Sequence, residues 1–205
     1  MKTLLQISSS IRSSDGESSR LAQRFADQWS SRNPGSRRIV RDLALNPVPH
    51  LDAARFDAFL SKPGMRSSTQ QAVVDFSDEL ISELKRADII VLGLPMYNFG
   101  VPSTLKAYFD HVARAGITFR YAENGPVGLL TGKKAFVFAT RGGLYRDTPL
   151  DTQSAYVRDF FRFIGIEDVE FIYAEGLAMS AVREESLRHA RAAIQQLDES
   201  ESLAA

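Results

Sequence analysis

The 205-residue chain has no cysteine. Disulfides, thiolate catalysis, iron–sulfur clusters and cysteine zinc sites are thereby excluded, and a reducing cytoplasm is compatible with that absence. An excess of charge of either sign is missing too. Lys plus Arg number 25 and Asp plus Glu number 25, so nothing in the composition points to nucleic acid, an anionic membrane surface or a strongly charged partner. No apolar run is long enough to span a membrane. The opening MKTLLQISSS breaks into serines too early for a signal-peptide core, and the expectation is a cytoplasmic protein. Histidine is scarce. With three of them and no convincing Ser/His/Asp constellation, neither a metal site nor side-chain nucleophilic catalysis is expected.

What the chain does have is apolar substance for a large core. Hydrophobic residues make up 44% of it, which suits one compact domain over 1–205, with DESESLAA at 198–205 a frayed tail. The stretch Asp88 to Asp110, DIIVLGLPMYNFGVPSTLKAYFD, carries the clearest organisation. Ile89, Ile90, Val91, Leu92 and Leu94 form a short continuous apolar run of the kind that fills a parallel strand covered on both faces. Pro95 ends it, and Pro102 suits the first turn of a helix through Leu105, Tyr108, Phe109 and Val112. Between them, Met96, Tyr97, Asn98, Phe99 and Gly100 offer a flat heterocycle apolar and aromatic surface plus an amide for its edge. A plain strand-to-helix turn with buried aromatics fits the same residues.

Two other loops share that position after a strand. Thr3 to Ile7 is a strand candidate opening onto SSSIRSSDGESSR, before a helix with a stripe at Leu21, Phe25 and Trp29. Serine hydroxyls and free N–H groups at a helix start hold a phosphate without lysine, and Ser10, Gly16, Glu17 and Ser18 are the candidate positions. Asp15 and Glu17 then have to turn outward, leaving the backbone, Arg12 or the hydroxyls to bind. A solvated Ser-rich connection is the alternative. Ala135 to Thr140 is a later buried strand, and it opens onto Arg141, Gly142 and Gly143, where paired glycines permit close backbone approach. Elsewhere, Arg38 to Leu43 and Val169 to Tyr173 read as further strands, and Ser68 with Gln71 as a capping box. ITFRYAENGPVG reads as a hairpin turning at Asn124-Gly125. Strands and helices alternate, which predicts a doubly wound α/β fold with five parallel strands in the order 2-1-3-4-5 and helices on both faces. In that order the three special loops converge on one crevice at the switch point.

The chain resembles the FMN-dependent NADH azoreductases, also described as NADH:quinone oxidoreductases, of bacterial flavodoxin-like type. The resemblance rests on PMYNF at 95–99, ARAGITFRYAENGP at 113–126, TGKKAFVFATRGG at 131–143 and FIGIEDVEFIYAEG at 163–176, and extends over nearly the whole chain. It implies FMN contacts at Ser10, at Gly16, Glu17 and Ser18, at Met96, Tyr97, Asn98 and Phe99, and at Thr140, Arg141, Gly142 and Gly143. Thr140 stands where serine is common. It further implies a ping-pong cycle in which NADH or NADPH gives hydride to the flavin and a quinone, azo compound or nitroaromatic then takes it back. No protein side chain need be catalytic, although Asn98 and the Gly142–Gly143 loop are candidates for stabilising charge around flavin N1 and O2. Members typically build the pocket at a homodimer interface. That places Phe119 and Tyr121 of the hairpin as a substrate wall supplied by the partner chain. A flavodoxin-type single-electron carrier is the main alternative, and the neutral net charge disfavours it. The absence of a G-x-G-x-x-G fingerprint favours FMN over FAD.

Overall fold

The computed structural model describes residues 1–203. Along the chain its elements are β1 (Thr3–Ser8), α1 (Glu17–Arg32), β2 (Arg37–Asp42), α2 (Ala53–Leu60), α3 (Ser68–Arg86), β3 (Ile89–Pro95), α4 (Ser103–Val112), β4 (Phe119–Ala122), β5 (Gly125–Gly128), β6 (Lys134–Thr140), α5 (Thr152–Ile164), β7 (Asp168–Ala174) and α6 (Ser180–Leu203). A single 3₁₀ turn, Ser13–Asp15, precedes α1. Five strands pair in parallel in the order β2-β1-β3-β6-β7, while β4 and β5 form a separate antiparallel pair. The expected numbering 2-1-3-4-5 therefore changes, because the fourth and fifth strands of the chain belong to the hairpin and the sheet continues with β6 and β7.

Alternation along the strands explains the layers. Leu5, Ile7, Ile90, Leu92, Leu94, Val137 and Ala139 face α3, α4 and α5, where they meet Leu80, Leu84, Leu105, Phe109 and Phe161. Leu4, Val91, Phe136, Phe138 and Ile172 face the other way, against Leu21, Phe25 and Trp29 of α1 and Leu187 and Ile194 of α6. Successive side chains of a strand point to opposite faces, so a strand buried on both needs the unbroken apolar run that the sequence shows. Phe25 fills the second layer, its ring centroid 4.5 Å from Phe136 and 5.6 Å from Phe138.

The helix starts differ from the sequence reading by a residue or so. α3 is capped by Ser67, whose hydroxyl accepts from Gln70 N–H while the Gln70 side chain accepts from Ser67 N–H. The capping box therefore sits one residue before the expected Ser68 and Gln71. Pro102 is the residue before α4 rather than within its first turn. α6 runs to Leu203, through most of the segment expected to fray; residues 204–205 lie outside the described residues. No described helix is long and apolar enough to cross a membrane.

The topology decides where ligand chemistry is possible. After β1 the chain moves to one side, to β2, and β3 returns on β1's other side. Loops leaving the carboxyl ends of β1 and β3 consequently diverge over an open crevice between them. The hairpin β4–β5 belongs to the opposite end, because α4 has run back along the sheet before it forms and β6 begins after it. Its contacts agree: Leu130 N–H donates to Ile164 O at the far end of α5, at 2.8 Å.

Candidate functional site

The β1 loop folds into a cradle at the start of α1. Ser9 donates its hydroxyl to Gly93 O at 2.7 Å, fixing the loop to β3. Ser10 is buried and its Oγ accepts from Arg12 N–H at 3.2 Å. A Cβ on Gly16 would lie 2.2 Å from that Oγ, so only glycine permits the approach. Gly16 is also the residue before α1, and no side chain caps this helix. Its first-turn N–H groups and the positive end of its dipole therefore point into the loop. The decisive observation concerns Ser18 and Ser19, which are buried with hydroxyl oxygens that have no hydrogen-bond partner. A buried polar group left unsatisfied costs about 1–3 kcal/mol. Two of them beside an uncapped helix start fit an anion that accepts from both.

Glu17 is in place but its carboxylate is not offered to the cradle. It accepts from Arg183 on α6 at 2.6 Å, and Arg20 approaches it at 3.8 Å.

The β3 loop is a tight, strained turn. Tyr97 and Gly100 exchange N–H···O bonds at 3.2 and 3.0 Å, with Asn98 (φ 49°) and Phe99 (φ 64°) between them. Asparagine tolerates the left-handed region, whereas phenylalanine there stores on the order of 1–3 kcal/mol. α5 holds the turn: Thr152 donates its hydroxyl to Phe99 O, and the buried Gln153 donates to Pro95 O at 2.8 Å and to Gly100 O at 3.0 Å. Tyr97 reaches the other way. Its hydroxyl accepts from Ile11 N–H at 3.3 Å and lies 3.4 Å from Ser10 Oγ, joining this turn to the cradle. Met96, Asn98 and Phe99 then line a cavity of about 450 Å³ together with Gly142, Gly143, Tyr145 and Ala178. Phe99 meets the Tyr145 ring edge-on at 5.4 Å.

Comparison with known proteins gives the family of this fold. A family model described as "Flavodoxin-like fold" matches residues 1–197. An FMN-dependent NADH:quinone oxidoreductase of Cellvibrio japonicus is 55% identical over 179 residues, which cover 87% of this chain and 90% of that protein. The chain belongs to this flavodoxin-like family. A second relative, FMN-dependent NADH:quinone oxidoreductase 2 of Pseudomonas fluorescens, is 47% identical over 198 residues, covering 96% of this chain and all of its own length. Among solved structures, an FMN-dependent NADH-azoreductase of Bacillus anthracis in complex with FMN superposes with a TM-score of 0.85 at 26% identity, covering 97% of this chain and 100% of that one.

Within this family frame, the structure brings Ser10, Gly16, Glu17 and Ser18 together in the cradle, and Met96, Asn98, Phe99, Gly142 and Gly143 around the cavity, with Tyr97 between the two. Thr140 ends β6 and its carbonyl accepts from Met96 N–H at 3.0 Å, so it sets the spacing of the two loops. Arg141 is not brought to the cavity. Its side chain is fully buried away from the cavity, donating to Asp151 at 2.6 Å, to Ser154 at 2.8 Å and to Glu175 at 3.2 Å. Its N–H and C=O are taken by Ala174 and Leu177. Phe119 is only 7% exposed and packs on Phe163 of its own chain at 4.3 Å. Tyr121 is 74% exposed, at the end of the molecule opposite the cavity.

Sequence reasoning missed the fourth wall. The β7–α6 loop backs the glycines, since Ala178 N–H donates to Gly142 O and Gly176 N–H to Gly143 O. Glu175 Oε1 accepts from the N–H groups of Tyr145 and Arg146 at 2.9 and 2.8 Å. Its position after the last sheet strand and the glycine at 176, which has φ 69°, were the available signals. A larger cavity of about 660 Å³ lies at the amino-terminal end of the sheet, lined by Lys2, Asp88, Lys133, Glu167 and others. It has mixed charge and no loop of the crevice, so the chemistry is assigned to the smaller one.

Proposed function

We propose that this chain is an FMN-dependent oxidoreductase that passes hydride from NADH or NADPH to quinones and azo compounds, nitroaromatics included among flat electron-poor acceptors. The observation that carries the reading is the pair of orphaned hydroxyls of Ser18 and Ser19 at an uncapped helix start, joined through Tyr97 to a cavity with aromatic walls. That is the layout of a terminal phosphate at one end and a flat ring at the other. Relatives named FMN-dependent NADH:quinone oxidoreductases support it, as does the likeness to an FMN-dependent NADH-azoreductase. Their names disfavour a single-electron carrier.

FMN fits the donors present. Ser10, Ser18, Ser19 and the N–H groups of Glu17 and Ser18 would hold the phosphate, the Gly16 N–H being taken by Ser13 O, while Met96, Asn98, Phe99, Gly142 and Gly143 would meet the ring, with Ser19 and Tyr145 added to the positions read from sequence. Bound there, FMN supplies the hydride chemistry that no side chain of this chain offers. The protein's contribution is positional. Asn98 and the glycine loop place dipoles at the ring edge, Phe99 and Tyr145 exclude water, and the Thr140–Met96 bond holds the two loops at fixed separation.

The second part of the proposal is a cytoplasmic homodimer. A single chain leaves its cavity open, and Tyr121, the exposed aromatic of the hairpin, cannot reach it because the hairpin stands at the other end of the sheet. A partner chain is what brings Tyr121 to a substrate ring, with Phe119 supporting it at 5.5 Å from below. Two measurements test the proposal. Steady-state turnover of FMN-loaded protein with both nucleotides against a quinone and an azo dye must exceed free FMN, and mass spectrometry must recover FMN; FAD or no flavin refutes it. Sedimentation at micromolar concentration must show a dimer, and a fully active monomer refutes the shared site.

A further inference from the structure

Arg183 connects parts of the site that the sequence keeps 166 residues apart. One amino group of its guanidinium donates to Glu17 Oε1 at 2.6 Å and the other to Leu177 O at 2.9 Å, with Nε 3.9 Å from Glu184. Leu177 N–H in turn donates to Arg141 O, and Ala178 N–H to Gly142 O. One side chain thus ties the start of α1, behind the anion cradle, to the loop that backs the glycines at the ring end.

The electrostatics of the cradle give this tie a purpose. Glu17 is the acidic residue in the first turn of α1, where a carboxylate competes with any anion for the same dipole and N–H groups. A phosphate monoester brings between one and a half and two negative charges at neutral pH. Arg20 is a weak neutraliser, being exposed and divided between Asp15 at 3.5 Å and Glu17 at 3.8 Å. Arg183 is only 37% exposed and closer. We propose that Arg183 is a positioning residue for the phosphate: by pairing with Glu17 it removes a negative charge from the cradle and makes the site discriminate for the phosphorylated flavin over riboflavin. This rests on the reading that the cradle takes the phosphate of FMN.

The test titrates the apoprotein with FMN and, separately, with riboflavin, following flavin fluorescence. The readout is the ratio of the two dissociation constants, which a purely structural role does not move. Arg183→Met should weaken FMN on the order of tenfold, as expected for one uncompensated charge at a half-exposed site, and leave riboflavin within about twofold. Glu17→Gln added to Arg183→Met should restore most of the FMN affinity, Arg183→Lys should keep it, and Glu17→Gln alone should bind FMN at least as tightly as wild type. High salt should shrink the penalty of Arg183→Met. Equal losses for both flavins, a double variant no better than Arg183→Met, or a weaker Glu17→Gln each overturn the inference; the last holds even where Arg183→Met does not fold. A wild type that binds FMN no better than riboflavin removes the cradle itself, and this inference with it. A wild type that prefers FMN, with the preference unchanged in Arg183→Met, removes the inference alone.

Discussion

Replacing Arg141 with methionine separates the sequence reading from the structural one. As a cofactor ligand, Arg141 would matter for flavin affinity and little for the empty protein. As found, its guanidinium is enclosed between Asp151, Ser154 and Glu175, with Tyr173 below it at 5.1 Å. Methionine keeps much of the stem volume but leaves the nearly buried carboxylates of Asp151 and Glu175 without the guanidinium they share. Breaking a buried pair in this way costs about 3–5 kcal/mol. For a chain of this size each kcal/mol lowers Tm by about 2–4 °C, so the expected drop is roughly 6–20 °C. Acid response should change as well. Burial pushes the Asp151 carboxyl up, but hydrogen bonds from Arg141 and Ser154 outweigh it and hold its pKa below the ordinary 3.8. A depressed carboxylate stabilises the fold fully above its unfolded pKa, and that stability is lost as pH falls below 3.8 through the folded value. Arg141→Met should therefore flatten this limb of the stability profile. Thermal melts of the apoprotein followed by circular dichroism give the Tm, and urea melts across a pH series give the free-energy loss and the acid limb. A loss under about 1 kcal/mol, with FMN affinity reduced instead, would refute the buried assignment.

Three further outcomes are expected. Asn98→Gly removes the amide without the left-handed strain that alanine would add, and should weaken FMN by about 1 kcal/mol, or roughly fivefold, at unchanged Tm; unaltered affinity would make Asn98 a turn residue only. Phe99→Gly should raise apoprotein stability by about 1 kcal/mol, because φ 64° is open to glycine, while lowering turnover; a loss of stability in melts contradicts the strain argument. His111 is buried between the ring edges of Phe59 and Phe76, its Nδ1 against Ala107 O at 3.0 Å and its Nε2 without a partner. Burial lowers its pKa, against the smaller opposing effect of the Ala107 bond, so the unfolded chain binds the proton first. Stability is whole above about 6.5 and declines as pH falls through the folded pKa, and His111→Leu should abolish that decline in melts between pH 7 and 5.

How much of this was legible depends on how far apart the interacting residues lie. The apolar run at 89–94 declared a strand buried on both faces, and local punctuation by Pro95, Gly16 and Gly142–Gly143 placed the loops at strand ends. Such signals act over a few residues. The capping box slipped by one because SSTQQ offers Ser67 with Gln70 and Ser68 with Gln71 at the same spacing, and only packing chooses. Arg141 looked like a ligand beside two glycines. Its burial is set by Asp151 and Glu175, 10 and 34 residues away, which no local pattern reveals. The same holds for Glu17, whose charge looked hostile to a phosphate until the structure brought Arg183 to it.

The two ends of the sheet give the proposed site its remaining logic. Parallel strands send every loop that follows a strand to one end and every segment that follows a helix to the other. That rule gathers the cradle, the strained turn and the glycine loop into one crevice. It also sends the hairpin, which follows α4, to the opposite end, where Gly128 presses so closely on Gly165 that a Cβ would meet its nitrogen at 2.0 Å. A hairpin locked to α5 in this way cannot swing round to its own cavity. Under the proposed function, the exposed Tyr121 must therefore serve another chain's crevice, and the rigidity that bars it from its own is what would hold it steady as a wall for a partner's substrate.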